Sequence, residues 1–326
     1  MAMSDLNPNP NPPGDECWAR DTLTKLAFAA VTEQRRARRW GIFFKLLFFA
    51  YLVGLLALAW PDDLGSATAA AKKHTAVVRV DGLISSSTQA SAKNVIEALR
   101  KAFKDEKTVG VVVEINSPGG SPVQAGEIYD EIQRLRQRYP KMPVHAVASD
   151  VCASGGYYIA AAAQKIYANR ASIVGSIGVR MDSFGFTDAI AKLGVERRAY
   201  TAGSNKDFLD PFKPVNPAEV QHLQGMLDAI HQQFIAAVKQ GRGERLKDNL
   251  EVFSGLMWTG EQSVGLGLVD ALGSTRHVAE EVIGEKTIVD YTKHTRWLDR
   301  LLDSTEASLG AALLKGLGLD GTARWR

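Results

Sequence analysis

The sequence has few cysteines and almost no net charge in its main part, and both shortages narrow the range of possible folds and functions. Only two of the 326 residues are cysteine, Cys17 and Cys152, so no framework of disulfide bonds holds the chain together. Beyond residue 60 the chain carries 32 basic and 31 acidic side chains. Because binding to nucleic acid depends on clustered Lys and Arg, we expect no nucleic-acid partner. The 45% of hydrophobic residues is ordinary for a globular protein with a buried core.

The amino-terminal part is organised differently from the rest of the chain. Residues 1–40 contain the tract NPNPNPPGD and a basic flank, and they predict a disordered cytoplasmic tail. Residues 41–60 form an apolar run that is interrupted only by Lys45. About 20 residues at about 1.5 Å each are enough to cross a bilayer. Since Arg35, Arg36, Arg38 and Arg39 precede the run, we predict a single-pass helix with a cytoplasmic amino terminus and the following residues outside the cytoplasmic membrane.

Two other interpretations of residues 41–60 stay open. A cleaved signal peptide would account for the small residues at 67–69, but its apolar core is usually about 7 to 15 residues and its leader is shorter. A buried helix of a soluble protein rarely has so long an apolar run beside an arginine cluster. We therefore expect an uncleaved anchor, a linker over 61–74, a folded domain over 75–292 and an amphipathic helix within 293–326.

From residue 75 onward, apolar strand patterns alternate with amphipathic helix patterns. Asn216 and Pro217 open a long helix that we expect to end near residue 240, since Asn favours the cap and Pro the first turn. Strands separated by helices favour right-handed crossovers and a largely parallel sheet covered by helices on both faces. The predicted fold class is α/β. The predicted strands are 75–82, 109–116, 142–149, 166–170, 174–181 and 195–202, and helices are predicted at 91–105 and 122–139.

Turns rich in glycine and serine follow two of these strands. In the turn at 116–121, a pair of glycines lets backbone N–H groups face a cavity without a Cβ in the way, which suits an oxyanion, although a simple tight turn needs glycine as well. In ASGGYY at 153–158, Ser154 either projects as a nucleophile, as on other strand-to-helix turns, or caps the next helix. Neither turn contains a His or a carboxylate suited to a catalytic triad. A nucleophilic Ser154 therefore needs another base, and lysine is the main alternative.

Four ordered motifs resemble the signal peptide peptidase A family, which are membrane-anchored Ser-Lys proteases of bacteria. The motifs are NSPGGSPVQAGEIYDEI, ASGGYYIAAAAQKIYAN, VGSIGVRM and TAGSNKDFLDPF, and the resemblance extends over about residues 75–272. It implies that Ser154 is the nucleophile, Lys206 the general base, Gly120 N–H an oxyanion-hole donor and Ser176 a serine that orients the lysine. It also implies the spiral of ββα units of the Clp protease and crotonase superfamily. A further implication is a homo-oligomer in which Lys206 of one subunit lies beside Ser154 of another.

The resemblance implies hydrolysis of signal-peptide remnants and other apolar membrane-derived peptides or proteins, without a cofactor. Taken alone, Lys206 is more typical of a solvated loop charge, and Ser176 of a hydroxyl bonded to backbone. We expect Cys152 to be a small buried residue rather than a thiol nucleophile. Asp207 and Asp210 lack further acidic neighbours at suitable spacing, so we predict no metal. Two alternative functions stay open: a catalytically silent membrane scaffold of the same fold, and a crotonase-like acyl-thioester enzyme.

Overall fold

The computed structural model describes residues 13–59, 72–247 and 249–293. The predictions for the start of the tail, most of the linker and nearly all of the carboxyl-terminal helix fall on residues 1–12, 60–71 and 294–326, which lie outside the described residues. The chain divides into two compact units, with the boundary between residues 64 and 65.

The first unit contains one long helix, α1 (Pro13–Ala59). Residues 13–40, which the sequence predicts as disordered, are helical in the structure; after Gly14 this stretch has no glycine or proline and is rich in Ala and Arg, which favour helix. Apolar side chains further along the helix, such as Phe43 and Phe48, are exposed. Across the described parts of the chain, no helix combines the length and the apolar character needed to cross a membrane. The transmembrane helix predicted at 41–60 is therefore not confirmed, and its last residue lies outside the described part.

The second unit is built on a mainly parallel sheet. The strands are β1 (His74–Asp81), β2 (Thr108–Ser117), β3 (Val144–Ala153), β4 (Lys165–Ala168), β5 (Ile173–Gly175), β6 (Met257–Thr259), β7 (Ala271–Leu272) and β8 (Ile288–Asp290). Their order in the sheet is β6-β5-β3-β2-β1-β8, with β4 paired to β3 and β7 paired to β4. Every pairing is parallel except that of β5 with β6. The predicted α/β class is confirmed, whereas the spiral arrangement of ββα units stays a prediction.

The helices of the second unit begin where the sequence offers a cap. Ser91, Ser121 and Asn216 each accept a backbone N–H from two or three residues ahead. They cap the starts of α2 (Ala92–Lys104), α3 (Pro122–Arg138) and α6 (Pro217–Arg242). The long helix predicted after Asn216 is thus confirmed, and it ends at residue 242. The helices are α2 (Ala92–Lys104), α3 (Pro122–Arg138), α4 (Gly155–Ala160), α5 (Thr187–Lys192), α6 (Pro217–Arg242), α7 (Gly260–Gly265) and α8 (Thr275–His277), with 3₁₀ turns at Gly243–Arg245 and Leu250–Phe253 and a π-helical turn at Val278–Ile283.

The main hydrophobic core lies on one face of the sheet. There the strands contribute alternate residues such as Val78 and Val113, which pack with side chains from α2, α3, α4 and α6. The other face has a smaller cluster around Val112 and Val278. On that face Arg79 forms ion pairs with the carboxylates of neighbouring strands, 3.5 Å to Glu114 and 3.0 Å to Asp290. The two faces of the sheet are thus covered unequally. The row of paired charged side chains needs no covering layer, because charged groups are favourable in contact with water.

One predicted strand does not form. Residues 195–202 have no regular structure, and the strand predicted at 174–181 is confined to β5. Both edges of β5 are already occupied, by β3 and by β6. A strand needs a partner as well as an alternating pattern, so the 195–202 segment has no free edge of β5 to pair with. It lies instead within 176–216, an exposed connection in which α5 is the regular element.

Candidate active site

The carboxyl ends of β2, β3 and β5 meet at one edge of the sheet, where they border a cleft of about 760 Å³. In parallel α/β sheets this edge is where ligands usually bind. Three of the predicted site residues, Gly120, Ser154 and Ser176, line the cleft. The full lining comprises Leu83, Pro118, Gly120, Pro122, Ser154, Gly155, Tyr158, Ser176, Gly178, Val179, Arg180, Ile230, Gln233, Phe234, Ser254 and Gly255.

Ser154 occupies the sharp turn between β3 and α4. Its backbone angles, φ 51° and ψ −121°, are unusual for a residue with a side chain and cost about 1–3 kcal/mol. Its N–H donates to the Gly175 carbonyl at 2.9 Å, and its own carbonyl accepts from Tyr158 N–H at 2.9 Å. Although Ser154 stands at the cap position of α4, its side chain makes no capping hydrogen bond. The backbone thus holds the turn, and the half-buried hydroxyl is left to the cleft.

The glycine pair after β2 lies directly against this turn. Gly119 has φ +100°, and a Cβ at this position would lie 2.7 Å from the Ser154 Cβ and 2.8 Å from the Gly155 nitrogen. Gly120 pairs with Ile84: the Ile84 N–H donates to the Gly119 carbonyl at 2.9 Å, and the Ser121 N–H donates to the Ile84 carbonyl at 2.8 Å. A side chain at Gly119 would therefore push the loop away from the Ser154 turn, and a side chain at Gly120 would collide with the backbone of Ile84.

Two backbone N–H groups lie close together beside Ser154. The bridge to Ile84 uses the groups on either side of Gly120, so the Gly120 N–H points away from it and has no acceptor among the described residues. The Gly155 N–H belongs to the first turn of α4 and also has no acceptor there. A Cβ at Gly155 would lie 3.4 Å from the Gly120 nitrogen. A pair of free donors next to a serine hydroxyl can stabilise the negative oxygen of a tetrahedral intermediate.

Sequence reasoning missed Gly155 and Ser117. Gly155 follows Ser154 directly, and its place at the start of a helix was a usable signal for a second N–H donor. Ser117 is fully buried; its hydroxyl donates to the Gly82 carbonyl at 2.6 Å and accepts the Gly119 N–H at 3.1 Å. It thereby positions the glycine loop. No local pattern distinguishes it from an ordinary strand-end serine.

Ser176 is the second serine of the cleft with a positive φ, 52°. Its N–H donates to the Leu256 carbonyl at 2.7 Å, and the next carbonyl, of Ile177, accepts from His231 Nε2 at 3.0 Å. These contacts join the wall after β5 to α6 and to the segment before β6. Within the described residues no hydrogen bond involves the Ser176 hydroxyl, so a structural turn bond does not account for it.

Lys206 is not brought to Ser154 within one chain. It lies in the exposed turn 202–209, where its N–H donates to the Gly203 carbonyl at 3.2 Å, and it does not line the cleft. Neighbouring acids are held by ion pairs, Asp207 with Lys213 and Asp210 with Arg197. These pairs shape the loop, and each carboxylate already has a cation.

Comparison with known proteins relates this fold and cleft to one family. A sequence model of peptidase family S49 matches residues 136–288, and a model of Clp protease matches residues 74–176. A candidate protease of Synechocystis sp. (strain PCC 6803) is 32% identical over 274 residues, which cover 82% of this chain and 94% of that protein. The chain belongs to peptidase family S49. The resemblance seen in the four sequence motifs is thereby confirmed.

Other relatives cover different shares of the chain. A candidate signal peptide peptidase SppA of Enterococcus faecium is 29% identical over 231 residues, 68% of this chain and 67% of that protein. A Brucella abortus protein named Na⁺/H⁺ antiporter NhaA is 44% identical over 222 residues, 68% of this chain. The matching region is 28% of the Brucella protein, so this chain corresponds to less than a third of that relative's length.

Part of the wall of the S49 cleft is apolar. Tyr158 stacks on Phe234 of α6 with ring centroids 4.9 Å apart, and Leu83, Val179 and Ile230 add further apolar surface. Burial raises the pKa of Tyr158, and Asp130 and Tyr129 add to this, so its phenol stays protonated. The contribution of α6 was not predicted, because nothing in its helical spacing indicates that it faces a cleft.

Cys152 is not a competing nucleophile. It is completely buried, and burial raises the pKa of its thiol to about 12, which keeps it protonated. The expectation of a buried filling residue is confirmed. Within the described residues, no group of three or more His, Cys, Asp or Glu side chains is arranged to hold a metal ion.

Proposed function

We propose that this protein is a serine endopeptidase in which Ser154 Oγ is the nucleophile. The observation that carries the proposal is the strained turn at Ser154, whose uncapped hydroxyl shares a cleft with the free N–H groups of Gly120 and Gly155. Strained backbone persists where the surrounding structure holds it in place, and such positions cluster at active sites. Membership of peptidase family S49 supports the same reaction.

The proposed reaction has two steps. The Ser154 hydroxyl gives its proton to the general base while Oγ bonds to the scissile carbonyl carbon, and the Gly120 and Gly155 N–H groups donate to the negative oxygen. The C–N bond then breaks, and the base returns the proton to the leaving amine. A water molecule attacks the acyl-serine by the same route, releasing the carboxylic acid and restoring Ser154.

We propose Lys206 as the base, contributed by a neighbouring subunit of a homo-oligomer, with Ser176 orienting it. Two features support this. Lys206 stands on an exposed loop and does not line the cleft of its own chain, and the connection 176–216 that contains it has exposed apolar side chains, including Phe184, Leu193 and Tyr200. Surface of this kind usually marks a protein contact.

The proposed substrates are apolar peptide segments, such as signal-peptide remnants. Support comes from the lining of the cleft, where aromatic and aliphatic side chains on one side face the two glycine-rich turns on the other. An extended apolar segment would gain about 25 cal/mol for each Å² of surface that it buries on these walls. Hydrogen bonding through the polar backbone of the turns fixes its direction.

We further propose that residues 41–60 attach the chain to the cytoplasmic membrane, with the catalytic domain on the outer face. The four arginines before the run and the exposed apolar side chains of α1, such as Phe43, Leu46 and Phe49, support attachment. In a bacterial expression host, the protein should stay in the pellet after alkaline carbonate extraction, and protease should reach the catalytic domain in spheroplasts. Release into the carbonate supernatant, or protection in intact spheroplasts, would refute this part.

The decisive experiment is cleavage of a synthetic signal peptide by the full chain purified in detergent. Ser154→Ala and Lys206→Ala should each lose activity by at least about 10³-fold, while the matched surface controls Ser87→Ala and Lys192→Ala stay active. The two inactive variants, mixed and reassembled, should regain part of the activity, because mixed oligomers contain sites with both residues. Recovery identifies a dyad completed between subunits. No recovery despite demonstrated subunit exchange places both residues of the dyad in one chain.

The same variants distinguish the proposed function from two rival functions. A crotonase-like acyl-thioester enzyme would use the paired N–H groups without Ser154, so Ser154→Ala would retain thioester turnover. A silent scaffold would cleave nothing and keep its assembly in both variants. If Ser154→Ala and Lys206→Ala cleave the peptide like the wild type, the peptidase assignment to these residues is wrong.

A further inference from the structure

Arg180 is the one charged side chain that lines the Ser154 cleft in the described part of the chain. It ends a short wall in which Ser176, Gly178 and Val179 also face the cleft. The Ile177 carbonyl between them accepts from His231 of α6, so the wall is held against a long helix. Arg180 follows this wall directly, and its side chain reaches into solvent.

Most of the hydrogen-bonding capacity of Arg180 is unused. One terminal nitrogen of its guanidinium donates to Asp182 at 2.8 Å, and its side chain remains 86% exposed. A guanidinium has five N–H donors arranged as a planar fork, which matches the two oxygens of a carboxylate. The remaining donors have no partner within the described residues. They are available to a ligand that occupies the cleft.

We propose that Arg180 binds a carboxylate of the peptide substrate and so selects peptides with an acidic group near the scissile bond. This inference rests on the proposed peptidase function. The carboxylate comes from an Asp or Glu side chain or from the carboxyl terminus of a short peptide, and the chemistry of recognition is the same. Because the other lining residues are uncharged, Arg180 is the one charged group of the lining that a ligand meets, and it attracts an acidic group and repels a basic one, although the Asp182 carboxylate paired with it weakens both effects.

The structure limits the size of the effect. Asp182 neutralises part of the charge, and solvent screens an exposed pair, so we expect a preference of about fivefold in kcat/KM for a carboxylate peptide over its neutral counterpart. The preference should shrink as NaCl is raised from about 50 to 500 mM, since salt screens exposed charges. Removing the internal partner with Asp182→Asn should enlarge it.

The test uses the full-length protein and a set of fluorogenic peptides on one apolar sequence. The reference peptide has Gln at each of three positions on either side of the scissile bond and an amidated carboxyl terminus. In the first arm one Gln at a time is replaced by Glu, and in the second arm one Gln at a time is replaced by Lys. The third arm restores the free terminal carboxylate of the reference peptide. The first and third arms distinguish the two sources of the carboxylate. Each peptide is compared on wild type, Arg180→Gln, Arg180→Lys and the control Arg170→Gln, an exposed arginine outside the cleft.

The expected result is that Arg180→Gln cleaves the carboxylate peptides no better than the neutral reference peptide, whatever its rate on that reference. Arg180→Lys should keep part of the preference, and Arg170→Gln all of it. The inference is overturned if wild type cleaves the neutral peptide with no gain from any carboxylate, or if Arg180→Gln keeps the gain. If the wild type cleaves none of the peptides, the result contradicts the proposed peptidase function and not the role of Arg180. Binding of the Glu and Gln peptides to Ser154→Ala, measured by fluorescence anisotropy with and without Arg180→Gln, then tests Arg180 by itself.

Discussion

Replacing Gly119 by alanine should disable the active site while leaving most of the fold intact. The new Cβ would lie 2.7 Å from the Ser154 Cβ, 2.8 Å from the Gly155 nitrogen and 3.0 Å from the Ala153 carbonyl oxygen. These neighbours belong to a turn, which must shift to make room. The residue would also retain φ near +100°, where alanine is strained. Strain and overpacking together should cost about 2 to 4 kcal/mol of unfolding free energy.

The effect on catalysis should exceed the effect on stability. A displacement of about 1 Å between reacting groups can cost about 100-fold in rate, and Gly119→Ala pushes apart the serine and both N–H donors. Unfolding free energy from urea titration and kcat/KM on the signal peptide are to be measured on the same preparations.

Gly126→Ala is the matched control. Gly126 lies inside α3, and a Cβ there would have no atom within 4 Å. Alanine at this helical position should stabilise the protein by about 0.5 to 1 kcal/mol and leave kcat/KM unchanged. Wild-type activity and stability in Gly119→Ala would refute the packing of the glycine loop against the Ser154 turn.

Three further predictions concern buried groups elsewhere in the domain. Burial lowers the pKa of His145 to about 4, so the unfolded chain binds a proton more readily than the folded one. The free energy of unfolding should therefore be greatest above about pH 6.5 and fall by roughly 1 to 2 kcal/mol between pH 7 and 5. Urea titrations at several pH values should show a smaller fall in His145→Gln. Asp270→Asn should cost about 3 kcal/mol or more in the same assay, because it removes the charge that pairs at 2.7 Å with fully buried Arg242; an equally stable variant would contradict that pairing. In a Cys17→Ala background, Cys152 should fail to react with a thiol reagent at pH 8 until the protein is unfolded, and rapid labelling of the native protein would show that it is accessible.

Much of the site was predictable from local sequence. The turn ASGGYY follows an apolar strand, and Ser154 and Gly120 stand at the carboxyl ends of neighbouring parallel strands, which must share one edge of the sheet. Asn216 and Pro217 likewise determine the start of α6, because capping depends on residues within one turn. What was not predictable locally is the depth of the cleft, to which α6 contributes Ile230 and Phe234 from far along the chain.

Local sequence is enough to establish the α/β class, the strand-to-helix turns and the chemical types of the site residues, because periodicity, capping and turn formation act over a few residues. Which strands pair depends on contacts between distant parts of the chain. β3 uses one edge for two partners, β4 along residues 145–148 and β5 along 151–153, whereas the segment 195–202 pairs with none of the described strands and is exposed. The same long-range pairing places Ser176 beside Ser154 and leaves Lys206 on an outer loop. Such contacts depend on competition for edges between distant segments, which no local pattern records.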